Sequence, residues 1–226
     1  MDAYIQVIKD DYKVNFVLEN FRKTYPNSNI TLVSDDGEDL TELSNRFNCH
    51  YLHSTFKTGN DPKGFNKDQT IEWLNRFYNA FEKSTSKYLI YLEDDVLVRN
   101  RIDINFDSNI LGLKVNLINQ SIIDYFEKKY KTTFTSKMYG ACGGTIYKVE
   151  FFLNNFNNFI KIIEDSFDEV QKLHQIQFGY LDMFMPVLYM LCNSTYDDNV
   201  FLCETHRNSN CMNSNSKIIH GKQIYN

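Results

Sequence analysis

A chain of 226 residues, 42% hydrophobic and 15% aromatic, has the length and apolar content of a packed globule and not of a disordered segment. A formal net charge of −5 disfavours a general nucleic-acid binder, and no apolar run approaches the roughly 20 residues that a membrane span needs. The start, Met1-Asp2-Ala3-Tyr4-Ile5, lacks a basic stretch leading into a long apolar one, so no signal peptide is expected.

The first half alternates strand and helix patterns. Tyr4–Ile8 reads as a strand, and Tyr12–Tyr25 as a helix with Val14, Val17, Leu18 and Phe21 on one face, ended by Pro26 and Asn27. Ile30–Val33 is a second strand closing in Ser34-Asp35-Asp36-Gly37, followed by a short helix, Leu40–Phe47, and a third strand at His50–His53. A polar loop from Phe56 to Phe65 leads to Asn66, which with Gln69 three residues on approaches a capping box. The helix it opens carries Ile71, Leu74, Phe77, Tyr78 and Phe81 as its buried stripe. The chain then enters Lys87-Tyr88-Leu89-Ile90-Tyr91-Leu92-Glu93-Asp94-Asp95-Val96-Leu97-Val98, a strand that runs straight into three carboxylates before the apolar run resumes. This order predicts an α/β fold with a mostly parallel sheet and right-handed crossovers.

The second half is less regular. Helices are expected at Ile122–Tyr130 and Glu150–Lys172, with Gly143-Gly144 between them. A further helix at Tyr180–Leu191 should be started, kinked or broken by Pro186. The tail is polar until Lys217-Ile218-Ile219-His220-Gly221-Lys222. Five cysteines form no C-x-x-C pair, which fits reduced thiols in a cytoplasmic setting better than a disulfide framework. Cys203, His206 and Cys211 are close enough to suggest zinc but lack a fourth ligand at the usual spacing.

Three adjacent acids repel one another and resist desolvation, and a bound divalent cation relieves both penalties. Ligands of open α/β sheets sit at the carboxyl ends of strands, where Glu93, Asp94 and Asp95 would fall. The structural alternative is a solvated acidic turn between two strands. Asp182, set among Phe178, Tyr180, Leu181, Met183 and Phe184, should carry a raised pKa, as a general base does, although a helix N-cap would also explain it. Asp35 and Asp36 end a strand beside a turn glycine, and Arg76 could pair with Asp35 or Asp94.

In this order the acidic strand end, the carboxylate triad, the glycine pair, the isolated acid and the closing His-Gly-Lys resemble the GT-A class of nucleotide-sugar-dependent glycosyltransferases. Glu93-x-Asp95 is similar to that class's Asp-x-Asp metal motif, with glutamate first. The likeness spans nearly the whole chain as an order of features. Its nearest kind is the compact glycosyltransferase domain of large DNA viruses, similar to the amino-terminal domain of chlorovirus multidomain enzymes. The resemblance implies one GT-A domain over residues 1–226, with a nucleotide-binding half (1–98) and an acceptor and catalytic half (99–226), in the host cytoplasm if viral.

It further implies Mn2+ or Mg2+ held by Asp95, with Glu93, and by His220 as the third protein ligand. Lys222 would meet a phosphate oxygen, and Asp94 would share the metal or bind the ribose. Asp35 or Asp36 would accept the uracil N3–H, which makes a UDP-sugar the expected donor. Gly143 and Gly144 would let the backbone approach that donor. Asp182 would take the proton from a hydroxyl of a glycan or glycoprotein acceptor, giving inversion. Tyr139, Phe178 and Tyr180 could stack on sugar rings or belong to the core. A nucleotidyltransferase would show a glycine-rich basic loop after the first strand, whereas Ile8-Lys9-Asp10-Asp11 has no glycine. A non-catalytic carbohydrate or protein interaction domain on the same scaffold is the other rival. A two-metal phosphoesterase would gather its histidines, and here they are scattered.

Overall fold

The computed structural model describes residues 1–55, 66–105, 107–114, 118–134, 140–173, 180–206 and 208–225. The loop 56–65 and the aromatic residues Tyr139 and Phe178 therefore lie outside the described residues, and Tyr180 is described only as the first residue of its helix.

A seven-stranded sheet forms the centre. Strands β1 (Asp2–Val7), β2 (Ile30–Asp35), β3 (His50–Ser54) and β4 (Tyr88–Leu92) run parallel, with β1 between β2 and β4. After the short β5 (Val96–Val98), which leaves this sheet, come β6 (Ile110–Gly112), β7 (Ile146–Lys148) and β8 (Tyr196–Asp198). The spatial order is β3-β2-β1-β4-β7-β6-β8, and β7 alone runs against the others. Strands β9 (Leu202–Glu204) and β10 (Ile218–His220) join β5 in a second sheet, ordered β5-β10-β9.

Side-chain alternation along the strands divides the core between the two faces of the large sheet. Tyr4, Val33 and Leu89 point to one side, while Ala3, Ile5, Leu32, Ile90 and Leu92 point to the other. The first face is covered by α3 (Lys67–Lys83), α4 (Gln120–Tyr130), α5 (Val149–Leu173) and α6 (Tyr180–Leu191). Helices α3 and α5 meet through aromatic pairs: Phe81 and Phe152 stack at 4.0 Å, and Tyr78 lies 4.3 Å from Phe156. The second face is covered by α1 (Tyr12–Thr24), α2 (Thr41–Phe47) and the small sheet.

Local rules account for the helix ends. Asp11 caps α1 by accepting from the amides of Lys13 and Val14, and the expected capping box of Asn66 and Gln69 opens α3. Pro186 neither starts nor breaks its helix but sits inside α6. Without an N–H it gives nothing to the carbonyl of Asp182 one turn back, and the amide of Ala141 fills that place at 3.0 Å. The proline thus docks the glycine-containing segment onto the first turn of α6.

Cysteine chemistry departs from expectation. Cys203 and Cys211 form a disulfide with a Cα–Cα distance of 5.6 Å, so both thiols are spent on each other and are lost to zinc. Spacing alone did not reveal it, because β9 and the short 3-10 turn Cys211–Asn213 are brought together by packing. Cys49, Cys142 and Cys192 are free.

Candidate active site

The acidic triad forms the corner at which the chain passes from one sheet to the other. β4 ends at Leu92, the amide of Val96 closes a turn on the carbonyl of Glu93, and β5 begins at once. β10 runs antiparallel to β5 with His220 opposite Val96, and the amide of Gly221 donates to the carbonyl of Asp95 at 2.9 Å. These backbone contacts set the His220 ring against the acids: Nε2 lies 3.1 Å from Glu93 Oε2 and 3.3 Å from Asp95 Oδ1. Ligand atoms from Glu93, Asp95 and His220 all fall within 4.8 Å of one another.

The electrostatics follow from this geometry. Burial pushes the Asp95 carboxyl up, but its hydrogen bond to His220 and the charge of that ring outweigh burial and hold it below the usual range. Burial likewise disfavours the charged imidazole, yet contacts to Asp95, Cys142, Glu204 and Glu93 win and raise His220 well above its ordinary value. Asp94, exposed at the tip of the turn, is raised by partial desolvation and then by its acidic neighbours, Asp95 ahead of Glu93. Asp182 sits in the first turn of α6, pushed up to about 8 by burial first and by Glu93 next. The charges of His220, which lowers it, and Glu204, which raises it, also reach this carboxyl.

Gly143 lies against the triad. A Cβ there would come within 2.7 Å of Val96 Cγ2 and 2.9 Å of the Glu93 carboxyl, so only glycine leaves Glu93 its place. Gly144 has another role than the expected one: at φ +89 its amide donates to the carbonyl of Tyr91 at 2.7 Å, which spends the N–H inside the fold. Asp35 is also engaged. It is buried and paired with Arg76 at 2.8 Å, while Arg76 also donates to Ser54. Asp36 is exposed at φ 53, so it is the member of that pair open to a ligand. Lys222 is exposed on the 3-10 turn Lys222–Tyr225, just beyond the histidine.

Neither a family model nor a curated protein sequence matches the chain. Solved structures do. The galactosyltransferase LgtC, solved in complex with donor and acceptor sugar analogs, superposes with a TM-score of 0.56 at 12% identity, over 97% of this chain and 86% of that one. The chain has the GT-A glycosyltransferase fold. The glycosyltransferase GlyE of Streptococcus pneumoniae superposes over 97% of this chain with a TM-score of 0.51 and 11% identity. This chain spans only 54% of GlyE.

On this fold the expected constellation is assembled in part. Glu93, Asp95, His220, Asp182 and Gly143 converge, Asp94 and Lys222 stand exposed beside them, and Asp35 and Gly144 are taken up by internal bonds. Sequence reasoning missed Glu204. Its carboxylate is 4% exposed, accepts from the Cys142 thiol at 2.9 Å and lies 3.0 Å from His206 Nε2. The only signal was an acid directly after Leu202-Cys203 in an otherwise polar region. Tyr12 was also passed over: it is 67% exposed at the start of α1 and edge-on to Tyr225 at 5.6 Å.

Proposed function

We propose that the chain is a metal-dependent, inverting glycosyltransferase that moves a sugar from a nucleotide diphosphate donor, a UDP-sugar, to an acceptor hydroxyl of a glycan or glycoprotein. The observation that carries this reading is the meeting of Glu93, Asp95 and His220 at the carboxyl end of β4, within 4.8 Å of one another. Two carboxylates and one imidazole are a donor set suited to Mn2+ or Mg2+, with positions left over for phosphate oxygens. A cation held there supplies positive charge against the leaving pyrophosphate.

The chain's own groups do the rest. Asp36 and Asp94, both exposed at strand ends, bind the base or the ribose, and the exposed Tyr12 ring at the start of α1 is a further flat surface for the base. Lys222 is placed to pair with a phosphate oxygen. Asp182 takes the proton from the acceptor hydroxyl as that oxygen bonds to the anomeric carbon. The bond from that carbon to the β-phosphate oxygen breaks, its electrons leave with the nucleoside diphosphate, and attack opposite the leaving group inverts the centre. A carboxyl raised to about 8 has the basicity for this task near neutral pH.

Calorimetry with UDP and Mn2+ tests the metal reading. Asp95→Ala should abolish Mn2+-dependent UDP binding while the melting curve keeps its cooperative shape. Unchanged affinity would remove Asp95 from the metal site. NMR of the product should show an inverted anomeric centre, and a retained one would take Asp182 out of the role of base.

A further inference from the structure

The His220 ring has two nitrogens with different surroundings. Nε2 faces Glu93 and Asp95. Nδ1 is buried without a hydrogen bond and lies 3.5 Å from Glu204 Oε1. That separation is just beyond a good hydrogen bond, and an unpaired buried donor is costly, so a small ring movement toward Glu204 is favoured. The proposed acceptor chemistry makes no use of Glu204, which is buried at the end of β9 on the Nδ1 side of the histidine.

We propose that Glu204 is a positioning residue: it holds the His220 imidazole with Nδ1–H toward itself, so that the Nε2 lone pair points at the cation position between Glu93 and Asp95. The arrangement is a carboxylate–histidine–metal relay, in which the outer carboxylate fixes the tautomer and aims the ring. The backbone supports it. β9 and β10 pair in parallel with Glu204 in register with His220, and the amide of Thr205 donates to the carbonyl of His220 at 2.8 Å. Cys142 donates its thiol proton to Glu204 Oε1 at 2.9 Å, and His206 approaches Oε2 at 3.0 Å. The carboxylate is therefore itself held on both oxygens. It acts on the metal only through the ring.

The inference rests on the metal reading of the site, and its test separates the two. Free Mn2+ is titrated with the whole chain and followed by its electron paramagnetic resonance signal. Glu204→Ala should weaken Mn2+ binding by about 10–100-fold, the usual worth of such an outer partner. Glu204→Gln, whose amide oxygen still accepts from Nδ1, should recover most of that loss. Wild-type protein that leaves Mn2+ free would overturn the metal reading, and this inference with it. Wild-type binding matched by Glu204→Ala, or a Gln variant no better than Ala, would overturn the positioning role alone. Should the alanine variant not fold, the wild type decides by nitrogen NMR of His220 with diamagnetic Mg2+. A proton on Nδ1 supports the proposal, and a proton on Nε2 overturns it.

Discussion

Three adjacent acids at a strand end carry mutual repulsion, and His220 supplies the charge that offsets it, with Nε2 within 3.3 Å of both Glu93 and Asp95. The triad and Asp182 were legible in the sequence because each is chemically out of place, an acid where the neighbours are apolar. Asp35 was legible as an acid that Arg76 could meet, and the structure selects it over Asp94. Its partner Arg76 arrives from α3, and the pair is buried on both sides. Glu204 stayed hidden because a three-residue strand shows no periodicity to frame it. The decisive residue-scale prediction concerns Asp182. Asp182→Asn keeps the size of the side chain and removes the proposed base, so donor binding should change little while sugar transfer falls about 10²–10⁴-fold. A single-turnover assay beside a calorimetric titration separates the two effects. Near-normal transfer would leave Asp182 with a structural role only.

At the scale of elements, the alternating first half was readable nearly to the residue, because amphipathic periods and caps are local. In the small sheet β5 and β10 were readable only as alternatives and β9 not at all, since all three are three residues each and owe their existence to one another. Gly221 joins β10 to the turn that carries Lys222, at φ +124, and a Cβ there would run into Oγ1 of Thr205, just past the end of β9. Gly221→Ala should therefore cost roughly 1–3 kcal/mol in urea denaturation from the backbone conformation, with more from the collision. Adding Thr205→Ala removes the oxygen that is struck and should return the collision part alone. A strictly additive double mutant would show that the two sites do not meet. Pro186 gives the opposite lesson. Its presence argued that the helix would be started, kinked or broken there, and the helix runs through it, with Ala141 supplying the N–H that the proline lacks.

At the scale of the whole molecule, the end of the sheet opposite the site is tied by one carboxylate. Asp2 accepts from the amides of Asn29, Thr85 and Ser86 and from the hydroxyls of Ser84 and Ser86, fastening β1 to the loops that precede β2 and β4. Burial pushes its carboxyl up, but these hydrogen bonds outweigh burial and leave it below its ordinary value of 3.8. A carboxylate depressed by folding stabilises the native state above the unfolded pKa of about 3.9, and that stability is lost as pH falls through the lower folded value. Urea midpoints of wild type and Asp2→Asn should thus differ by a constant amount above about pH 5 and converge below it. A gap that persists undiminished into strong acid would show that the charge of Asp2 contributes nothing.

The middle strand of the small sheet has a consequence for how the molecule is made. In the small sheet β5 and β9 each pair with β10 and not with each other, and His220 belongs to β10. The four parallel strands β1 to β4 of the large sheet are complete by Leu92, whereas the acidic corner cannot close until a strand far along the chain slots between its two partners. Contacts so distant in sequence are slow to form. Trp73, the lone tryptophan, is buried in α3 against the large sheet and reports on that part alone. On dilution from denaturant its fluorescence should recover first and Mn2+ uptake should follow, and simultaneous recovery would refute a sequential closure. The growing chain would then carry an ordered scaffold with an open, self-repelling corner, and the proposed site would be completed last, in one step.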